Sequence, residues 1–171
     1  AFVVTVCEAN AQWIREQLAG DAGIDVRVLY NGVDTQAFHP HHRQPAKEPT
    51  VLAIGRLVEK KGFHVLFDAL AQLAADGLRP RALLVGDGEE RERLQAQAQR
   101  LGLRHVEFAG MRTHDEVRAC VQQATCMVLP CIVGQDGNRD ALPTVLLEAL
   151  AAGLPVISTP IGGVEEIVDG G

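Results

Sequence analysis

The sequence lacks any long hydrophobic run, although 47% of its 171 residues are hydrophobic. A helix that crosses a bilayer needs roughly 18 or more consecutive apolar residues, so no transmembrane segment is predicted. The pattern of a signal peptide is also missing. A charged fraction of 22% is typical of a soluble globular domain.

Basic charge is scarce, since 16 lysines and arginines stand against 22 acidic residues and the net charge is −6. Nucleic-acid partners require a basic field that neutralises phosphates, so nucleic acid is not expected to bind. Histidines 39, 41 and 42 have no carboxylate or cysteine at regular ligand spacing, so no metal site is expected there.

The four cysteines form no Cys-x-x-Cys pair, and Cys126 and Cys131 are too far apart for the first pair of a zinc knuckle. We therefore expect reduced, mostly packed cysteines and a cytoplasmic chain. The chain begins inside an apolar run without an initiator methionine, and it ends at Gly170-Gly171. Both ends are interpreted as cuts through a longer protein.

Short apolar segments alternate with segments of helical periodicity. Predicted strands span 2–6, 25–30, 51–54, 82–85, 106–108, 126–129 and 155–158. Predicted helices span 8–19, 63–74, 89–101, 115–123 and 142–152, and a last helix begins near 163. This alternation predicts an α/β fold, a Rossmann-like parallel sheet with helices on both faces. The strands are apolar throughout, as expected of strands covered on both faces.

Residues 35–49 interrupt the pattern with three prolines and few apolar residues. We interpret 35–49 as a linker. Residues 1–34 would then be the end of one domain, and 50–171 would form a second domain.

Ligands of parallel α/β sheets lie beyond the carboxyl ends of the strands. Several predicted strands of the second domain end in glycine turns, where the backbone can approach another group closely, although such turns also serve packing alone. Arg56 and Lys61 are more specific, because two cations after one strand suit a diphosphate. Lys60, beside Lys61, is expected to be a solvated member of a charge run.

Asp140 and Glu148 stand eight residues apart across a predicted helix start. Pro143 suits a first helical turn, and the unpaired amides beyond it would form an anion site with the helix dipole. The carboxylates could accept hydrogen bonds from sugar hydroxyls. The spacing equally fits a core helix with an incidental acid at each end.

A set of short motifs occurs in one order along the chain. They are Gly55-Arg56-Leu57-x3-Lys61-Gly62, Gly86-Asp87-Gly88-Glu89, Phe108-x-Gly110, Asp140-x7-Glu148, Ala152-Gly153-x-Pro155 and Gly162-Gly163-x-x-Glu166. This set resembles the C-terminal, donor-binding domain of the family-4 retaining glycosyltransferases, which is one half of a GT-B fold. Asn31-Gly32-Val33-Asp34 resembles the link from the N-terminal acceptor domain, and the loop 134–139 resembles bacterial cell-surface polysaccharide members.

The resemblance implies that 1–34 is the end of the acceptor domain and 50–171 a donor domain truncated at its C-terminus. It implies that Arg56 and Lys61 neutralise a nucleoside diphosphate, that Asp140 contacts the donor sugar and that Glu148 contacts the ribose. The donor-binding residues carried over are Gly55, Gly86, Asp87, Met111, Leu142, Pro143, Thr144 and Val145. Two departures are Asp140 in place of the commoner Glu, and Pro143, which has no N–H to donate.

The implied activity is transfer of a sugar from a nucleoside-diphosphate sugar, without metal or other cofactor, in polysaccharide or glycolipid synthesis. A saccharide or lipid-linked acceptor would bind the missing N-terminal domain, which would also supply any contact with the inner face of the membrane. The fragment alone is expected to be inactive.

Four other classes of protein share parts of this pattern. A GT-B epimerase and a non-catalytic nucleotide-binding module remain open, as does the nucleotide base. A pyridoxal-phosphate phosphorylase would need a late lysine, and none follows Lys61. A dinucleotide dehydrogenase is poorly supported, because Gly86-x-Gly88 lacks a third glycine.

Overall fold

The computed structural model describes residues 2–18 and 23–168. Its strands are β1 Phe2–Thr5, β2 Asp25–Val28, β3 Thr50–Ile54, β4 Arg81–Val85, β5 Val106–Gly110, β6 Cys126–Leu129 and β7 Val156–Ser158. Its α-helices are α1 Glu8–Gln17, α2 Phe63–Ala75, α3 Arg91–Arg100, α4 His114–Gln123 and α5 Thr144–Ala151. Three 3₁₀ turns span Pro40–His42, Glu59–Lys61 and Gly162–Glu166.

The main sheet has five parallel strands in the order β5-β4-β3-β6-β7. Right-handed crossovers place α2 and α3 on one face and α4 and α5 on the other. The predicted α/β fold with a parallel sheet is confirmed. The direction of winding reverses between β3 and β6, and such a reversal opens a crevice at the carboxyl ends of the two strands.

The core forms because apolar periodicity in the helices meets continuous apolar strands. α2 buries Phe63, Leu66, Phe67 and Leu70, which recur at i, i+3, i+4 and i+7. Phe67 packs edge-to-face on Phe108 of β5, with ring centroids 5.8 Å apart. These contacts fix α2 against the sheet, and with it the turn that precedes the helix.

The first strands, β1 and β2, form a separate parallel pair joined through α1. The Glu166 carboxylate accepts the backbone N–H groups of Glu8 and Ala9, at 2.9 and 3.0 Å, and the Tyr30 hydroxyl at 2.9 Å. Burial acts to raise the pKa of Glu166, but these three hydrogen bonds outweigh burial and lower it. Glu166 therefore caps α1, whose N-cap residue Cys7 makes no side-chain cap.

The segment 35–49 runs beside the C-terminal end of α4. Phe38 is buried in the core, and the amides of Gln44 and Ala46 donate to the carbonyls of Gln122 and Gln123 at 3.0 and 2.9 Å. Arg43 adds a hydrogen bond from its guanidinium to the Val121 carbonyl at 3.1 Å. The predicted linker therefore packs against the second domain and is hydrogen-bonded to it.

Several predicted boundaries differ from the structure by one or two residues, and one predicted element has another type. α5 begins at Thr144 instead of residue 142, because the residue before a proline disfavours helical backbone and Pro143 is the N-cap. α3 begins at Arg91 instead of residue 89. The predicted last helix is a 3₁₀ turn over Gly162–Glu166. The predicted end of the first helix at Ala19 lies outside the described residues.

No helix within the described ranges combines the length and apolar character needed to cross a membrane.

Candidate functional site

The crevice between β3 and β6 brings the predicted cations and the first predicted acid together. Arg56 and Lys61 follow β3, whereas Asp140 ends the long loop after β6. The Lys61 ammonium Nζ lies 2.5 Å from Asp140 Oδ2. Arg56 is exposed after β3 and lines one cavity together with Lys60. The sheet topology therefore joins charges that are far apart in the chain.

The turn 59–61 is pressed against the end of β6 by a glycine. Gly62 has φ +65°, and a Cβ at that position would lie 1.9 Å from the Pro130 carbonyl oxygen. The Ile132 amide donates to the Lys60 carbonyl at 2.9 Å. Only glycine permits this close approach, which brings the lysine side chains within reach of Asp140.

Asp140 is only 8% exposed and is held by three partners. Besides Lys61, Lys60 Nζ lies 3.3 Å from Oδ1 and the Cys131 thiol donates to Oδ2 at 3.4 Å. Burial acts to raise the pKa of Asp140, but the hydrogen bond and charge of Lys61, followed by Lys60, lower it overall. Burial, and then the charge of Asp140, raise the pKa of Cys131 to about 12, so this thiol stays protonated and donates.

The prediction that Lys60 is solvated was wrong. Its side chain is 18% exposed and paired with Asp140. A charged pair of neighbouring lysines gives no local sign of burial, because burial here comes from the loop after β6 returning over the turn.

The backbone around Asp140 is fixed by the glycine pair after β7. The Gly163 amide donates to the Ala141 carbonyl at 2.7 Å. A Cβ at Gly162, which has φ +62°, would lie 2.2 Å from the Asp140 carbonyl oxygen. The backbone of Asp140 and Ala141, which leads into α5, is therefore held in place by the turn after β7.

The N-terminal end of α5 follows directly. Leu142 and Pro143 are buried, Val145 is partly buried and Thr144 is exposed. First-turn amides such as those of Thr144 and Val145 have no intrahelical acceptor, and the helix dipole adds partial positive charge there. An anion between this helix end and the two cations after β3 would meet positive charge from both sides.

Glu148 lies in the second turn of α5 and is partly buried. Within the described residues, its carboxylate accepts no hydrogen bond from a protein donor. Burial raises the pKa of Glu148, and the nearby His114 opposes this only in part. The carboxylate is therefore available to a hydroxyl group of a ligand.

Glu148→Gln should stabilise the chain at neutral pH. Folding raises the pKa of Glu148 above its unfolded value of 4.5. Below that unfolded value the carboxyl is protonated in both states and costs no stability. As pH rises through the folded pKa, the carboxylate ionises in its partly buried site and the folded state loses stability. Measured from pH 3 to 8, the melting temperature of Glu148→Gln should exceed that of the parent chain by an amount that grows with pH. Equal curves for Glu148→Gln and the parent would contradict the assignment.

The other predicted site residues are distributed around this centre. Gly86 meets the Gly55 carbonyl, where a Cβ would lie 1.9 Å from the oxygen, so these two turns touch. The Asp87 carboxylate accepts the Gly88 amide at 2.8 Å and Arg91 Nη1 at 3.1 Å, which ties it to the start of α3. Met111 is 73% exposed after β5. Neither Asp87 nor Met111 bonds to the Asp140 cluster in the described structure.

A polar cavity of about 300 Å³ adjoins the cluster. It is lined by Arg56, Val58, Glu59, Lys60, Glu89, Gly134, Asp136 and Asn138. Two cations and three acids share this lining, so it offers hydrogen-bond donors and acceptors to a polar ligand. Among residues 2–18 and 23–168, no three histidine, cysteine or acidic side chains are grouped to hold a metal ion.

Sequence reasoning missed Lys60, Cys131 and Asn138. Lys60 could have been found by asking which cations a buried acid at a strand end would need, since buried charges are paired. No sequence pattern marks Cys131 or Asn138, whose contacts depend on the path of the loop 130–140.

Comparisons with known proteins agree with this geometry. The family model described as "Glycosyl transferases group 1" matches residues 34–171. The chain is 37% identical over 148 residues to a Salmonella typhimurium protein, WcaL, whose name places it among the glycosyltransferases of colanic acid biosynthesis. That match covers 85% of this chain and 36% of WcaL, so the chain spans about a third of this relative's length.

Two solved structures share the architecture. Sucrose-phosphate synthase from Thermosynechococcus elongatus has a TM-score of 0.81 and 26% identity, over 96% of this chain and 42% of that protein. HepE of Anabaena, solved in complex with UDP, has a TM-score of 0.73 and 28% identity, over 98% of this chain and 47% of HepE. The structural neighbours are GT-B glycosyltransferases, which confirms the predicted fold and family resemblance. The chain belongs to the group 1 glycosyltransferase family.

Proposed function

We propose that this chain is the donor-binding part of a retaining glycosyltransferase that takes its sugar from a nucleoside-diphosphate sugar. The observation that carries the proposal is the crevice in which Arg56 and the Lys61–Asp140 pair lie at the carboxyl ends of β3 and β6. A diphosphate is the ligand that this combination suits best, because cations and helix amides together stabilise its charge.

Each residue has a distinct role in the proposal. Arg56 and Lys61 stabilise the negative charge that grows on the diphosphate as it leaves. Thr144 and Val145 add first-turn amides. Asp140 orients the donor sugar, and the Glu148 carboxylate accepts hydrogen bonds from the ribose hydroxyls. The UDP in the HepE structure supports a nucleotide in this class of site.

The proposed setting is polysaccharide or glycolipid synthesis at the cytoplasmic face of a membrane. The name of the relative WcaL, which places it in colanic acid biosynthesis, supports the polysaccharide part of this setting. The acceptor would bind a part of the protein outside this chain, which spans 36% of WcaL. The chain alone would bind donor nucleotide without transferring sugar. No metal or other cofactor is required, since Arg56 and Lys61 supply the positive charge.

Calorimetric titration with UDP, GDP, ADP and NAD tests the proposal. One nucleoside diphosphate should bind saturably, and Arg56→Met should weaken it by about tenfold or more, the value of a charge-assisted hydrogen bond. Arg104→Met is the matched control, because Arg104 is exposed at the opposite end of the sheet. Binding of NAD alone, or equal losses in both variants, would overturn the proposal.

A further inference from the structure

Lys60 makes three links to the loop after β6. Its Nζ lies 3.3 Å from Asp140 Oδ1 and 3.3 Å from Asn138 Oδ1. Its carbonyl accepts the Ile132 amide at 2.9 Å. A lysine that served only as a solvated surface charge would make no such set of contacts, because ordering its long side chain costs rotamer entropy.

The two oxygens of Asp140 have different partners. Oδ2 is bonded by Lys61 and by the Cys131 thiol, whereas Oδ1 is paired with Lys60. The Asp140 side chain is 11% exposed, so water can replace a lost partner only in part. Without Lys60, the Oδ1 atom would have no ionic partner among the described residues.

Charge balance points in the same direction. One carboxylate and two ammonium groups leave the cluster of Asp140, Lys60 and Lys61 with a net charge of +1. If Lys60 were absent, Asp140 would cancel Lys61 and leave this cluster neutral. A diphosphate carries more than one negative charge, so the second ammonium matters for its binding.

We propose that Lys60 is a positioning residue of the donor site, which holds Asp140 by Oδ1 and anchors the loop 133–139 through Asn138. In this role Lys60 shares with Lys61 the task of keeping the Asp140 carboxylate ionised and oriented. The donor-site part of this inference rests on the proposed function. The contact itself does not, and it can be tested without nucleotide.

The titration of Asp140 reports the contact directly. The groups that face its carboxylate are Lys60 and Lys61 from the turn 59–61 and Cys131 from the end of β6. The thiol is neutral, so removal of Lys60 removes one of two positive neighbours. An opposite charge at this range lowers a carboxyl pKa by about one to three units, and the pKa of Asp140 should rise when Lys60 is replaced.

The experiment is a ¹³C NMR titration of the aspartate side-chain carboxyls in the parent chain, Lys60→Met, Lys60→Arg and Lys47→Met. Lys47 is an exposed lysine, so its replacement makes the same change in net charge away from the site. We expect the Asp140 midpoint to rise by about one pH unit in Lys60→Met, to return most of the way in Lys60→Arg, and to be unchanged in Lys47→Met. An unchanged midpoint in Lys60→Met would overturn the proposal.

Two additions keep the test decisive. Lys60→Gln retains a donor for Asn138 without the charge, and it replaces Lys60→Met if circular dichroism shows that the latter is unfolded. UDP, GDP and ADP are then titrated into each variant, and the diphosphate that binds the parent chain should bind Lys60→Met about tenfold more weakly. A shifted midpoint with unchanged affinity would overturn the donor-site role. A parent chain that binds none of the three would refute the proposed function, while the midpoint still decides the contact.

Discussion

Gly62→Ala is expected to destabilise this chain by about 3–5 kcal/mol, much of the stability of an ordinary domain. The backbone at Gly62 has φ +65°, and an alanine Cβ there would lie 1.9 Å from the Pro130 carbonyl oxygen and 2.9 Å from its carbon. Left-handed backbone costs a non-glycine residue about 1–2 kcal/mol. The remaining cost comes from separating the turn 59–61 from the end of β6. The atoms that the new Cβ would meet belong to the Pro130 backbone, so no flexible side chain can move aside.

Gly77→Ala is the matched control for this change. Gly77 also has a left-handed backbone, with φ +85°, but a Cβ there would meet nothing within 4 Å. It should therefore cost only the conformational term of about 1–2 kcal/mol. Urea unfolding of both variants measures the difference. Equal losses would show that steric contact with Pro130 does not hold the turn in place.

Asp140→Ala is expected to cost about 3–5 kcal/mol, the range for removing one partner of a buried ion pair. The change would leave the ammonium groups of Lys60 and Lys61, which are 18% and 13% exposed, close together without the carboxylate between them. The Cys131 thiol would also lose the acceptor of its hydrogen bond. Denaturant unfolding at pH 7 gives the loss, which should shrink at low pH. The pKa of Asp140 is lowered on folding, so its contribution disappears as pH falls through that pKa.

Asp25→Ala provides the comparison for Asp140→Ala. Asp25 pairs with Arg27 at 2.6 Å, nearly the 2.5 Å of Lys61 and Asp140, but both side chains are more than half exposed. Exposed pairs contribute less than about 1 kcal/mol. The two aspartates thus separate the effect of burial from that of distance. A loss of similar size in both variants would contradict the assigned role of burial.

Local sequence patterns were sufficient to predict most of the fold. Periodicity of about 3.6 residues in α2 and the β-branched, apolar strands are properties of neighbouring residues, so the sequence predicted the elements and their parallel sheet. The errors fell at boundaries, such as the start of α5, where the conformational restriction before Pro143 outweighed the apolar pattern that continues through Leu142.

The candidate site was predictable in part for the same reason. Arg56, Lys61, Asp140 and Glu148 stand at strand ends and a helix start, and position along an element can be read from sequence. Asp87 occupies such a position too, yet its carboxylate is bonded to the start of α3. The sequence shows the type and position of Asp87, but the direction of its side chain depends on which local donors bond to it.

The sequence by itself determined the α/β class, the order of elements and the positions of Arg56, Lys61, Asp140 and Glu148 along those elements. Only the tertiary structure decided that Lys60 joins Lys61 around a buried Asp140, and that Asn138, 78 residues away in the chain, fixes Lys60. The reason is physical. Secondary structure follows from interactions within a few residues, whereas the ionisation and orientation of a buried carboxylate depend on which distant charges the strand order brings beside it.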